Sequence, residues 1–174
     1  MVVHRPAGRA NTFKEISMTV HVNYYQAAPG AVNVMVAVES YLESVRTDAL
    51  NLPLLELIKM RVSQINGCAY CLDMHSKDAR AGGETEQRLH LLAAWREAPF
   101  YSPAERAALA WAEALTALAQ AHPDPALVHE LKAHFSDQEI ANLTLAITQI
   151  NSWNRFAVGL GARVGSYQPG RKAR

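Results

Sequence analysis

From Val32 onward the chain is written as a succession of helices, and this constrains its fold more than any other feature. Ser102-Pro103-Ala104-Glu105 sets a capping serine, a proline at the first helical position and a glutamate at the third, and Ser136-Asp137-Gln138-Glu139 repeats the same opening. In such a start the serine oxygen takes a backbone N–H that has no partner within the helix, and the glutamate reaches back to the serine N–H. No segment alternates β-branched and polar residues between turn signals, as a half-buried strand would. The chain therefore reads as all-α. Helices are expected over Ala31–Thr47, Leu52–Ile65, Cys68–Ala81, Glu84–Trp95, Ser102–Ala119, Ala126–His134 and from Ser136 to Val158. Leu54, Leu57, Ile58, Val62 and Ile65 give the second of these a buried stripe. Asn66-Gly67 ends it, and Gly82-Gly83 stops the next. The helix after Ser102 has an alanine-rich face, which lets a neighbour pack closely.

At 174 residues the chain suits one domain, here taken as 21–174, preceded by a loose arm over 1–20 in which Met18 is an alternative start. A formal net charge of +1 gives no electrostatic case for nucleic acid, and the basic cluster Arg171-Lys172-Arg174 sits at a terminus. No apolar run is long enough to span a bilayer, and the N-terminus lacks the apolar core of a secretory signal, so the expected compartment is the cytoplasm. Structural disulfides are rare there, which gives weight to the two cysteines.

Those cysteines stand as Cys68-Ala69-Tyr70-Cys71, with His75 four residues after the second. On a helix, positions 68, 71 and 75 share a face, so both sulfurs and the imidazole can meet. A peroxide-reducing dithiol needs this set: a thiolate to attack, a second thiol to close the disulfide, and a base. Spacing leaves open which sulfur attacks first. Cys68 sits at the positive end of the helix dipole, whereas His75 is one turn beyond Cys71 and better placed to take a proton from it. Glu56 is a further candidate, because it interrupts the apolar run Leu52-Pro53-Leu54-Leu55-Glu56-Leu57-Ile58. Pointing inward it relays protons to His75; pointing outward it shares a solvated face with Lys59.

Glu56, eleven intervening residues, Cys68-x-x-Cys71 and His75 resemble the active-site signature of the AhpD-like alkylhydroperoxidases, in the carboxymuconolactone decarboxylase superfamily. Ile150-Asn151-Ser152-Trp153-Asn154-Arg155-Phe156 is similar to the Asn-x-Trp-Asn-Arg stretch of that family's last core helix. The resemblance implies an all-helical subunit in a homotrimer or homohexamer that reduces a hydroperoxide with electrons from a dithiol or protein donor, without metal, flavin or haem. Cys71 is then the peroxidatic cysteine activated by His75, Cys68 the resolving cysteine, and Glu56 the end of the proton relay. Tyr70 departs from the pattern, since the best-characterised members have a histidine before the second cysteine. A phenol donates a hydrogen bond but is a poor base at neutral pH, so Tyr70 is expected to support rather than relay, with weaker turnover.

Competing readings use the same residues. Zinc on Cys68, Cys71 and His75, with Glu56 or His90 as a fourth ligand, lacks the second compact ligand pair usual in structural sites, so no metal is expected. Two small thiols buried on a core helix are the structural alternative. A redox sensor, or a decarboxylase-like enzyme without peroxidase activity, is the functional one. Trp95, Trp111 and Trp153 read as core or interface anchors, Arg155 as an ion-pair partner, and His122, His129 and His134 as surface residues.

Overall fold

The computed structural model describes residues 21–170, and the expected arm over 1–20 and the basic cluster at 171–174 lie outside them. Among the described residues there are helices and no strands, as the sequence pattern predicts. Asn23 caps a single turn, α1 (Tyr24–Ala27), which leads into α2 (Pro29–Ser44). Asn51 opens α3 (Leu52–Asn66) by accepting the Leu54 N–H at 3.0 Å. Cys68 opens α4 (Ala69–Ala81), and Thr85 opens α5 (Glu86–Leu91), which tightens into a 3-10 turn at Leu92–Ala94. Ser102 starts α6 (Pro103–Thr116), Asp124 starts α7 (Pro125–Lys132), and Ser136 starts α8 (Asp137–Gly159). Both serine starts close as full capping boxes.

Several boundaries, including α2, which runs Pro29–Ser44 rather than Ala31–Thr47, and α7, which ends at Lys132 rather than His134, differ from the sequence reading. The turn α1 escapes it because four residues carry no helical period. The helix expected over Glu84–Trp95 begins at Glu86 and gives way to the 3-10 turn, which carries Trp95 into the core. There the Trp95 indole donates to Glu113 at 2.9 Å, and the Arg96 guanidinium stacks over the ring at 4.2 Å. Helix α6 stops at Thr116, three residues before the expected Ala119.

Helix α3 is the hub, packed against α4, α6 and α8. Its Leu57, Ile58 and Val62 are fully enclosed. Opposite them lie Ala108, Leu109 and Ala112 of α6 and Leu143, Ile147 and Ile150 of α8. The alanines let α6 approach closely, because a methyl side chain leaves little to hold the backbones apart. Around this hub one apolar cluster runs from Leu42 to Ala157 and includes both cysteines. Among the described residues every buried side-chain nitrogen and oxygen has a hydrogen-bond partner.

Candidate active site

Gly67 creates the site's local geometry. It caps α3 in the left-handed region at φ +66°, which a residue with a Cβ adopts only under strain, and this sharp reversal sends the chain from α3 into α4. The turn is fastened from the opposite side by α8. Asn66 Nδ2 donates to Asn151 Oδ1 at 2.9 Å and to Asn154 Oδ1 at 2.8 Å, and Asn154 Nδ2 donates to Ser63 Oγ at 3.1 Å. Asn154 is almost fully enclosed, so the Asn-x-Trp-Asn-Arg stretch serves as a clamp on the residues that launch the cysteine helix.

Cys68 is the N-cap of α4 rather than its first helical residue, and its Sγ accepts the backbone N–H of Cys71 at 3.3 Å. Both cysteines are reduced and buried. The hydrogen bond from the Cys71 thiol is the main influence drawing Cys68 down to about 7, against burial, with the Cys71 and Tyr70 backbones and Asn154 contributing. Cys71 moves the opposite way, well above a normal thiol, because it shares its proton with Cys68, is desolvated and lies beside that sulfur's charge. Ser63 and Asn154 partly offset this rise by hydrogen bonding to Cys71. In the resting site, negative charge therefore belongs on Cys68, the sulfur at the helix N-terminus.

Glu56 points inward. Its side chain is buried, and His75 Nδ1 lies 2.8 Å from Glu56 Oε2. The inward reading of the sequence therefore holds, and Lys59 turns in with it: Lys59 Nζ lies 3.5 Å from Glu56 Oε1. Burial raises the Glu56 carboxyl, but the His75 hydrogen bond and charge, with the Lys59 ammonium, outweigh it and hold the group below the usual carboxylate range. Burying a lone carboxylate costs several kcal/mol, and these two partners offset that cost. The carboxylate of Asp78 is also close, its ligand atom lying within 4.8 Å of those of Glu56 and His75. It is occupied by the Tyr167 hydroxyl, which donates at 2.7 Å to Oδ1 and lies 2.9 Å from Oδ2.

All four residues of the expected signature thus belong to one buried region on α3 and α4. Tyr70 is half-buried, and desolvation is the largest influence raising its phenol to about 12, so it stays protonated as a donor. It lines a cleft of about 410 Å³ with Tyr24, Tyr25, Val22, Ala162 and Arg163. His90 is exposed beside Glu86, far from a role as a fourth ligand to the cysteines. Arg155 makes no ion pair among the described residues and instead donates to Asn151 O at 2.7 Å and Asn151 Oδ1 at 3.1 Å. His122, His129 and His134 are exposed, as expected. Ser63, Lys59 and the clamping role of Asn154 were not legible beforehand. Asn154 stood in a recognised stretch without a job, Lys59 was read only as solvated, and Ser63 carries no sequence signal.

The family model described as carboxymuconolactone decarboxylase family matches residues 33–114. YdfG of Bacillus subtilis (strain 168) is 44% identical over 149 residues, covering 86% of this chain and 99% of YdfG. A crystal structure from Agrobacterium tumefaciens, named as a candidate antioxidant defence protein AhpD, superposes with a TM-score of 0.80 at 42% identity, covering 85% of this chain and 99% of that one. A peroxidase-related protein from Silicibacter sp. superposes with a TM-score of 0.71 at 26% identity, over 82% of this chain and 74% of that one. With its helical fold, its matched segment running through the cysteine helix and relatives that align over nearly their full length, the chain belongs to the carboxymuconolactone decarboxylase family, among its AhpD-like members.

Proposed function

We propose that the protein is a thiol-dependent peroxidase that reduces hydroperoxides through a Cys68/Cys71 dithiol–disulfide cycle, with His75 and Glu56 handling the proton. The observation that carries this reading is the pairing of an N-cap cysteine favoured as thiolate with a buried Glu56–His75 hydrogen bond on the same helix pair. The antioxidant and peroxidase-related names of two structural relatives point the same way.

In the proposed cycle His75 takes the Cys71 proton and the Cys71 thiolate attacks the terminal hydroperoxide oxygen. The S–O bond forms as the O–O bond breaks, sulfur is oxidised to sulfenic acid, and the departing alkoxide takes the proton back from His75 to leave as alcohol. The Cys68 thiolate then attacks the Cys71 sulfur, the S–O bond breaks, and hydroxide leaves as water with a proton returned through His75. A dithiol or protein donor reduces the disulfide. Charge held on Cys68 suits this second step, because the resolving nucleophile is ready as soon as Cys71 is oxidised. The cleft bordered by Tyr70 is the proposed approach for the substrate, with Tyr70 the hydrogen-bond donor in its lining. The cycle suits the cytoplasm, where dithiol donors are maintained. Among the described residues no helix is long and apolar enough to cross a membrane.

The test is intact-mass measurement with turnover. One equivalent of hydroperoxide is expected to remove two hydrogens from the chain, a dithiol to restore them, and excess peroxide to be consumed catalytically with a dithiol donor present. A protein that oxidises once and does not turn over is a sensor, and one whose thiols resist oxidation overturns the redox reading altogether.

We also propose a homotrimer or a homohexamer. Val34, Val36 and Tyr41 on α2 and Leu118 after α6 stay exposed in the single chain, and closed symmetry would cover such faces. Light scattering at micromolar concentration is expected to give three or six chains; a monomer refutes the assembly.

A further inference from the structure

Lys59 sits at the centre of a line of charged and polar contacts that crosses four helices. The Trp153 indole of α8 donates to Glu39 Oε1 of α2 at 3.0 Å. Lys59 Nζ of α3 lies 3.3 Å from Glu39 Oε2 and 3.5 Å from Glu56 Oε1. His75 Nδ1 of α4 closes the line on Glu56 Oε2 at 2.8 Å. Each oxygen of the two carboxylates has its own partner, and neither Lys59 nor Glu39 is needed by the cycle described above.

We propose that Lys59 is a positioning residue, whose ammonium keeps Glu56 an ionised acceptor and thereby fixes the His75 tautomer that leaves Nε2 to serve the thiols. The inference rests on the peroxidase reading for its chemical purpose, though not for its geometry. A carboxylate only accepts, so the His75 nitrogen facing it must carry the hydrogen, and the other nitrogen keeps its lone pair. A protonated Glu56 donates instead, moves the imidazole proton to Nε2 and removes the base. The logic is that of a triad, in which a third group sets the tautomer of the base, extended here by one charge.

Glu56 meets Lys59 on its own helix and His75 and Asp78 from α4, and it shares a cleft with Glu84 and Arg88, which pair with each other at 3.0 Å; Tyr167 of the C-terminal segment bonds Asp78 and feels the Glu56 charge. Lys59 meets Glu39 from α2 and shares a cleft of about 210 Å³ with Glu43 of that helix and Arg46 just after it. Glu113 of α6 is taken by Arg61 and Arg96. From α8 the line receives Trp153, which does not titrate. Burial opposes the charge on Lys59, yet Glu56 and Glu39 outweigh it and hold the ammonium above its usual range, so it stays charged wherever the enzyme works. Lys59 also lowers Glu56, so its loss lets the carboxyl rise.

The sign follows. A proton added to the Glu56–His75 pair removes the base, and the Lys59 ammonium beside Glu56 disfavours that proton, so removing Lys59 moves the acid limb of the rate profile to higher pH. In Lys59→Met, turnover measured on the acid limb, below the titration in both proteins, is expected to fall on the order of tenfold, the equivalent of one pH unit of displacement, and to recover on the alkaline side. Lys59→Arg, which keeps the charge, is expected to restore the profile. Lys59→Gln serves if the Met protein fails to fold. The same limb is read without peroxide by following iodoacetamide alkylation of Cys71 in Cys68→Ser protein, with and without Lys59→Met. A uniform loss at every pH, or a loss that Arg does not rescue, overturns the inference. If no hydroperoxide is turned over but the alkylation limb still moves, the peroxidase reading fails and the inference stands. If turnover is intact and the limb stays fixed, the inference fails alone.

Discussion

Replacing Cys71 with serine is expected to reduce hydroperoxide turnover to the uncatalysed background, while Cys68→Ser leaves one oxidation that stops at a trappable sulfenic acid on Cys71. The two variants separate the roles because each cysteine perturbs the other. Sharing of its proton with Cys68, and the charge of that sulfur, are main causes that push Cys71 up, and both vanish when Cys68 becomes serine. His75 is then left with a thiol of more ordinary acidity one turn away. The resting charge distribution favours Cys68, so the experiment has a definite opposite result: labelling of Cys68 in the Cys71→Ser protein would make the N-cap thiolate the attacking sulfur and reverse the proposed order. A dimedone-type trap followed by peptide mass spectrometry distinguishes these results.

Glu56→Gln is expected to slow the peroxide-dependent rate by roughly ten- to a thousand-fold, the range over which general acid–base groups contribute. Glutamine keeps the size and can still accept from His75 through its carbonyl, but it neither carries charge nor exchanges the proton. The fold should survive, because Glu39 remains to balance Lys59 at 3.3 Å. Removing the carboxylate also removes a pH-dependent contribution to stability. Glu56 is held below its unfolded value, so its contribution is present above that value and lost as the solution is acidified through the lower folded one. Wild type should accordingly lose more stability on acidification than Glu56→Gln, which denaturant melts across that range would measure. An unchanged rate in Glu56→Gln, beside a strongly impaired His75→Gln protein, would confine the proton chemistry to His75 and leave Glu56 structural.

Much of this molecule was legible in the linear sequence because its signals are local. A serine followed three residues on by glutamate opens a helix wherever it stands, and both such starts close as capping boxes. A glycine after Asn66 marks a turn, here in the left-handed region, and the spacing of Cys68, Cys71 and His75 sets all three at the start and along one short helix, where all are buried. The extent of the helix after Glu84 was not fixed this way, because Trp95 leaves the helical path to meet Glu113 and Arg106 of the next helix, with its neighbour Arg96 stacked on the ring.

Charge and orientation were decided only by tertiary structure. The residues around Glu56 allowed an inward or an outward carboxylate, and the choice fell inward because α4 brings His75 to one oxygen while Lys59, turning in beside it, takes the other. Lys59 in turn stays half-buried and charged because α2 supplies Glu39 from twenty residues earlier. Likewise Asn154 lies 88 residues from Asn66, and nothing local could reveal that its amide fastens the turn before Cys68. The sequence by itself determined most of the helices, the turn and the placing of two cysteines and a histidine on one short helix and its cap, since these depend on backbone periodicity over a few residues. Packing determined which sulfur carries charge, which way Glu56 faces and what holds the site together, since a buried charge is stable only where distant segments bring its partner.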